Sequence, residues 1–87
     1  MSGVNWKLAD VNSDHYYSVV FVNPSSSKRY PDAYEFASSE AAEEYIYGKG
    51  KTDPEMRGWT GIVYITWKNQ GRKPNMYRIS EMKVPPW

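Results

Sequence analysis

The chain contains no cysteine and only one histidine, and both shortages limit its chemistry. Without cysteine there is no disulfide, no thiolate nucleophile and no thiolate metal ligand, so the fold must be stabilised by packing. A metal site would need several nitrogen, sulfur or clustered carboxylate ligands. His15 opens a run of strand-forming residues and has no second ligand at a suitable spacing. We therefore expect no metal site and interpret His15 as a structural or solvated residue.

Long hydrophobic runs are also missing. No stretch of about 18 apolar residues occurs, and the first residues lack the charged start and continuous apolar segment of a signal peptide. These absences predict a soluble, cytoplasmic protein with no membrane contact. A chain of 87 residues is expected to form one domain, residues 1–87, with room for one sheet and one helix.

Motifs for catalysis and cofactor binding are absent as well. The three glycines between residues 48 and 58 lack the spacing of a phosphate loop, and no serine has a partner base in a recognisable pattern. The carboxylates of Glu40, Glu43 and Glu44 fit the solvated side of a helix, while Asp53 and Glu55 fit a turn. We therefore expect a protein that is not an enzyme and that binds no cofactor.

Apolar alternation marks strands in the N-terminal half. Residues 4–9 alternate with a period of two and predict an amphipathic first strand, whereas residues 15–22 are apolar on both sides, as in a central strand. Residues 23–32 contain two prolines and a serine run, which predict a mobile loop without regular structure. Tyr34 and Phe36 flank Glu35 in a short predicted third strand.

One helix is predicted after these strands. Ser38 or Ser39 can cap it, and acidic residues in its first turn suit the helix dipole. Gly48 is expected to end the helix after about ten residues. Asp53 is then expected to cap a single helical turn over residues 53–56. The apolar stripe that should face the sheet consists of Ala41, Ala42, Tyr45 and Ile46.

Residues 58–84 are the centre of the predicted fold. Two runs rich in β-branched and aromatic residues flank a polar segment with Gly71 and Pro74, a pattern typical of a β-hairpin. The resulting order β-β-β-α-β-β predicts an α+β two-layer sandwich. In it, a four- to five-stranded antiparallel sheet has one short helix packed on one face.

Charge is distributed unevenly along the sequence. Residues 1–48 carry three bases and seven acids, a net charge of −4, and residues 49–87 carry eight bases and three acids, a net charge of +5. Surface charge along a sequence says little about its position in space. We expect the two halves to touch in the fold and to neutralise each other in part.

Aromatic residues exceed what so small a core can bury. The chain has four tryptophans, eight tyrosines and two phenylalanines, each presenting about 150–250 Å² of surface. Strand alternation places Tyr16, Tyr64 and Tyr77 on the sheet face away from the helix, with Trp59 or Trp67 as the alternative set if the faces are reversed. The simpler explanation for tyrosines on this face is that they pair across the sheet and bind no partner.

These observations lead to two hypotheses about function. The first is a non-enzymatic protein-binding module of the inhibitor or adaptor type, as found among viral and phage accessory proteins, which uses exposed aromatic and basic residues of the C-terminal hairpin. The second is a single-stranded nucleic-acid-binding domain that uses the open sheet face. An unpaired edge strand, residues 4–9 or 75–84, would also allow a homodimer. The predicted partner-binding residues are Trp59, Tyr64, Trp67, Lys68, Arg72, Lys73, Tyr77 and Arg78.

Overall fold

A computed structural model describes residues 8–68 and 75–86. Its regular elements are strand β1 (His15–Val22), strand β2 (Arg29–Pro31), helix α1 (Ser39–Thr52), a 3₁₀ turn (Pro54–Met56), strand β3 (Thr60–Trp67) and strand β4 (Asn75–Lys83). The strands form one antiparallel sheet in the order β2-β1-β3-β4. This confirms the predicted α+β class with four strands and one helix. Within the described ranges, no helix combines the length and the apolar composition needed to cross a membrane.

The pairing of β1 with β3 decides which side chains share a face. Val19 lies opposite Val63, and Val20 lies opposite Ile62. Because directly opposite residues point to the same side of a sheet, the odd-numbered residues of both strands share one face and the even-numbered residues share the other. The name "open face" is used below for the even-numbered side of β1 and β3 and for the residues of β2 and β4 paired with it.

Helix α1 covers the odd-numbered face, where the core lies. Gly61 lets the helix approach closely, because a Cβ atom at this position would lie only 2.7–2.8 Å from side-chain carbons of Ile46. Burial of the apolar core side chains between the helix and the sheet removes them from water and is the main stabilising contribution to a fold of this size. The core residues are Val19, Phe21, Phe36, Ala41, Ala42, Ile46, Val63 and Val84.

Helix α1 begins where the sequence predicts. The Ser38 side chain is the cap, since its Oγ accepts a hydrogen bond from the backbone N–H of Ala41 at 3.1 Å. Three residues of the predicted apolar stripe are buried against the sheet, namely Ala41, Ala42 and Ile46. Tyr45, the fourth, is half-buried and packs against the same core.

The predicted end of the helix at Gly48 is wrong, because α1 continues to Thr52. Lys49 pairs with Asp53 at 2.9 Å, and Arg57 Nε donates to the carbonyl of Gly50 at 2.9 Å. A glycine inside a helix costs only about 1 kcal/mol relative to alanine, so contacts of this kind can override it. The 3₁₀ turn follows as predicted, but Asp53 makes no side-chain capping bond to it.

The prediction of an irregular loop over residues 23–32 is wrong for β2. Ser27 N–H donates to the Asn23 carbonyl at 2.7 Å and Asn23 N–H donates to the Lys28 carbonyl at 3.0 Å, so a tight turn returns the chain to β1. Ser27 has a φ of 62°, in the left-handed region. Because β2 is an edge strand, Pro31 can lie in it without removing a ladder hydrogen bond.

The predicted strands at residues 4–9 and 34–36 differ from the described structure. The first falls largely outside the described residues, and of its two described residues Leu8 forms a β-bridge with Phe36. The second is reduced to Phe36, which bridges to Leu8 and to Tyr17. This short segment therefore extends the β2 side of the sheet by isolated contacts instead of a regular strand.

Strand β4 contains a β-bulge that reverses its alternation. Val63 lies opposite Ser80, but the next residue, Tyr64, lies opposite Arg78, so Ile79 has no partner in the register. An extra residue of this kind moves one half of a strand to the other face relative to simple alternation. Tyr77 consequently pairs with Ile65 on the helix side of the sheet.

Candidate functional site

The structure divides the predicted partner-binding residues between the two faces of the sheet. Tyr64 and Arg78 are direct cross-strand partners on the open face, and Lys68 follows β3 on the same even-numbered side. On the helix side, Trp67 pairs with His15 and Tyr77 pairs with Ile65.

Trp59 also belongs to the helix side, where it packs against the core. Arg72 and Lys73 lie outside the described residues. The hairpin therefore does not present the predicted residues as one contact surface. The placement of Tyr16 and Tyr64 on the face away from the helix is confirmed, and that of Tyr77 is wrong because simple alternation does not reveal a bulge.

The described structure leaves several aromatic rings exposed, in agreement with the excess in the sequence. Tyr30, Tyr34, Tyr47 and Tyr77 are 44–54% exposed, whereas the described tryptophans, Trp59 and Trp67, are only partly exposed. The accessible aromatic surface is thus carried by tyrosines.

Two half-buried tyrosines on the central strands, Tyr16 and Tyr64, each lie beside cations on the open face. Arg29 Nη2 donates to the Tyr64 hydroxyl at 2.6 Å, and Arg78 lies opposite Tyr64 on β4. Lys68 Nζ lies 5.9 Å from the centre of the Tyr16 ring, within cation–π range. The open face thus pairs aromatic surface with positive charge at two neighbouring points.

The net charge of the open face is positive in the described part of the chain. Its two described carboxylates are Glu81, 3.4 Å from the guanidinium of Arg78, and Asp14, which precedes β1 and whose backbone carbonyl accepts from the N–H of Lys68 at 2.9 Å. Four cations against two carboxylates give a net charge of +2. The cations are Arg29, Lys68, Arg78 and Lys83.

The acids of α1, Glu40, Glu43 and Glu44, lie on the helix side of the sheet, and Glu43 accepts a hydrogen bond from Ser80 Oγ at 3.3 Å. The halves of the sequence touch through β1 and β3, as expected. The sheet separates their charges only in part, since residues 39–57 on the helix side carry five acids and three bases, a net charge of −2.

Apolar and small side chains form the floor of the open face between these charges. Val20, Ile62 and Thr66 are 6%, 4% and 3% exposed, although they point away from the helix. Arg29 and Pro31 of β2 lie at one border, and Arg78 and Lys83 of β4 lie at the other. Because these three side chains are buried, the accessible part of the open face consists mainly of the two tyrosines and the basic borders.

A hydrogen-bonded chain of side chains lies on the other side of the sheet. The Tyr45 hydroxyl donates to Asp32 Oδ2 at 2.6 Å and accepts from Lys49 Nζ at 3.2 Å, while Lys49 also pairs with Asp53. Burial, followed by the hydrogen bond to Asp32, raises the pKa of Tyr45 to about 12. Burial lowers the pKa of Lys49, but the bonds to Asp53 and Tyr45 outweigh this effect and raise it above its usual value.

Near neutral pH, Tyr45 therefore stays protonated and Lys49 stays charged, and neither titrates where a general acid or base is most effective. His15 Nδ1 lies 2.8 Å from Asp14 Oδ1, and the hydrogen bond from His15 lowers the pKa of Asp14. Among residues 8–68 and 75–86, no three histidine or acidic side chains are grouped so that they could hold a metal ion. The open face is therefore the candidate functional site.

Comparison of the chain with models of protein families, with curated proteins and with solved structures gives no match in any of the three.

Proposed function

We propose that the protein is a non-enzymatic binding module whose open face binds single-stranded nucleic acid. The observation that carries this proposal is the presence of Tyr16 and Tyr64 on the two central strands, each beside a cation, on a face of net charge +2. Single-strand-binding proteins use this combination, because bases stack on aromatic rings while lysine and arginine attract the phosphates.

The positions of the two tyrosines suit one short strand. Tyr16 lies opposite Thr66 and Tyr64 lies opposite Ser18, so the two tyrosines are diagonal neighbours on β1 and β3. Diagonal neighbours are about 7–8 Å apart, which allows one nucleic-acid segment to contact both rings. The hydrogen bond from Arg29 restricts the Tyr64 hydroxyl, so less ordering is required when a base stacks on the ring.

Fluorescence anisotropy of a labelled single-stranded oligonucleotide tests the proposal. Each phosphate contact contributes about −0.7 to the slope of log K against log salt concentration, so three to four contacts predict a slope of about −2 to −3. Arg78→Gln should reduce the size of that slope by about 0.7. Lys51→Gln, the same charge change at an exposed position on α1, should leave it unaltered. Absence of binding at low salt, or equal effects of both variants, would refute the proposal.

The stacking contribution is tested through the Tyr64 ring. Tyr64→Leu should weaken binding by about 1–3 kcal/mol, because it removes the ring, whereas Tyr64→Phe should retain most of the affinity. Tyr47→Leu on α1 provides a matched ring removal away from the open face. Thermal unfolding of each variant shows whether a loss of affinity reflects a loss of fold. Equal affinities for the Tyr64→Leu and Tyr47→Leu variants would contradict a role of the open face.

A second candidate, binding of a protein partner as an inhibitor or adaptor, is supported by edge strand β4. Met76, Tyr77 and Ile79 are 53%, 54% and 45% exposed there, and such apolar and aromatic side chains serve as anchors at protein interfaces. Titration of candidate partners with Tyr77→Ser, against Tyr47→Ser as control, tests this candidate. Equal affinities for both variants would count against β4 as the contact.

A homodimer through β4 has weaker support. The bulge at Ile79 and the charges of Arg78 and Glu81 are features that limit edge-to-edge pairing. Light scattering that reports only the monomer mass would dismiss the dimer. A cytoplasmic location is part of the proposal, and fractionation of cells that express the tagged chain tests it.

A further inference from the structure

A cavity of about 300 Å³ lies on the helix side of the sheet, away from the open face. It is open to solvent and is lined by residues of β1, β2, α1 and the 3₁₀ turn and by Trp59, which precedes β3. This volume is at the lower end of the range found for small-ligand sites in proteins. Its apolar walls are Phe21, Tyr30, Pro31, Met56 and Trp59, and its polar lining consists of Asp32, Lys49 and Glu55.

Two aromatic rings form an accessible wall of this cavity. The ring centres of Tyr30 and Trp59 are 5.4 Å apart, with an angle of 40° between their planes. Tyr30 is 44% exposed and Trp59 is partly exposed, so ring surface remains available to a ligand. The faces of such rings carry partial negative charge and attract cations.

The charges in the cavity also favour a cation. Lys49 is already neutralised by Asp53 and bonded to Tyr45, and its side chain is only 16% exposed. Asp32 accepts hydrogen bonds from Tyr45 and from the backbone N–H of Tyr34, at 2.6 Å and 3.2 Å. Glu55 is exposed and forms no ion pair with the described residues. The two lining carboxylates thus leave an excess of negative charge, since Lys49 is paired with Asp53, which is not part of the lining.

We propose that this cavity binds an alkylammonium or guanidinium cation, either a free small amine or the lysine or arginine side chain of a partner peptide. The alkyl part would lie against Met56, the cation would face Tyr30 and Trp59, and Glu55 would supply the ion pair. An anion would be repelled by the carboxylates, and a neutral ligand could donate no more than a hydrogen bond to them in place of the ion pair. This site is independent of the open face and of nucleic-acid binding.

Titrations of the full chain followed by ¹H–¹⁵N NMR test the proposal. The probes are n-butylammonium, n-butylguanidinium and the neutral alcohol 1-pentanol, which has a similar size. The two cations should shift the signals of Tyr30, Glu55 and the Trp59 indole in a saturable way, and 1-pentanol should shift them much less. Absence of saturable shifts, or equal shifts with the neutral alcohol, would overturn the proposal.

Variants separate the pocket from general electrostatic attraction. Glu55→Gln and Tyr30→Leu should each weaken binding of n-butylguanidinium roughly two- to fivefold, and Tyr30→Phe should preserve it, because it keeps the ring. Glu40→Gln makes the same charge change at the other end of α1 and should have no effect. If Glu40→Gln weakens binding as much as Glu55→Gln, the proposed site is wrong.

Two further probes distinguish the sources of the cation. A short peptide with one central arginine is compared with n-butylguanidinium and with the same peptide carrying neutral citrulline. Tighter binding of the arginine peptide than of both comparators identifies a partner side chain as the occupant. If n-butylguanidinium binds and the arginine peptide binds no more tightly, the occupant is a free small cation. If both peptides bind, and do so with equal affinity, recognition of the charge is refuted.

Discussion

Substitution of Gly61 by alanine tests whether α1 packs on the odd-numbered side of β3. The added methyl group would lie 2.7–2.8 Å from three side-chain carbons of Ile46, well inside the optimal carbon–carbon separation of about 3.5–4.0 Å. Ile46 is completely buried, at 0% exposure, so its side chain has little freedom to move. Overpacking of this kind costs about 1–3 kcal/mol, and we expect the free energy of unfolding to fall by that amount.

A double-mutant cycle shows whether the cost comes from this contact. Ile46→Ala alone should destabilise the protein by about 2–5 kcal/mol, because it leaves a cavity in the core. In the double variant the alanine at position 61 occupies part of that cavity. The combined loss should therefore be smaller than the sum of the single losses, by about 1–3 kcal/mol.

Gly48→Ala is the matched control. A Cβ atom at Gly48 meets no atom within 4 Å, and the residue lies inside α1. This variant should be more stable than the wild type by up to about 1 kcal/mol, since alanine favours the helix. Urea denaturation followed by circular dichroism measures all four variants. If Gly61→Ala is as stable as the wild type, or if its cost adds fully to that of Ile46→Ala, the packing described for α1 is wrong.

Three further predictions concern single features of the fold. Ser38→Ala should lower the free energy of unfolding by about 0.5–2 kcal/mol, because it removes the helix cap, and Ser39→Ala should cost less; equal losses would contradict the cap. The raised pKa of Tyr45 means that its neutral form stabilises the fold below the unfolded pKa near 10, and that this contribution is lost as the pH rises through about 12. Between these two pH values the free energy of unfolding of the Tyr45→Phe variant should therefore fall less than that of the wild type, as measured by urea denaturation at each pH. Deletion of Ile79 should leave a cooperative unfolding transition, because the residue has no partner on β3, whereas deletion of Tyr77 should disturb the pairing of β4. If only the variant without Tyr77 unfolds cooperatively, the bulge is excluded.

The features that the sequence predicts well are those determined by near neighbours along the chain. Ser38 is followed at helical spacing by Ala41, Ala42 and Ile46, and these residues do form the start and the buried side of α1. The apolar run at residues 15–22 does form a central strand. Period and capping residues suffice for such elements, because the local pattern and the tertiary fold favour the same structure.

The features that the sequence does not predict depend on distant contacts. The end of α1 depends on Arg57, which reaches the carbonyl of Gly50, and β2 exists because a tight turn places Arg29–Pro31 against β1. The bulge at Ile79 is defined only by the register of β4 on β3. No local period carries this information, so the face of Tyr77 was assigned wrongly.

The candidate site shows the same division. Strand alternation is enough to place Tyr16 and Tyr64 on one face. The hydrogen bond that joins Arg29 to Tyr64 links residues 35 positions apart, and only the folded sheet brings them together. The cavity behind Tyr30 likewise combines residues from four elements of the fold. Neither feature leaves a signal at short range in the sequence.

A net charge of +2 on the open face and of −2 on residues 39–57, on the other side of one thin sheet, gives the molecule an electric dipole despite its formal net charge of only +1. Such a molecule is oriented by the field of a highly charged partner before the two touch, so that most encounters begin with the same face of the sheet toward the partner. Its rate of association should then depend on ionic strength far more than its overall charge suggests, because dissolved ions shorten the distance over which this alignment acts.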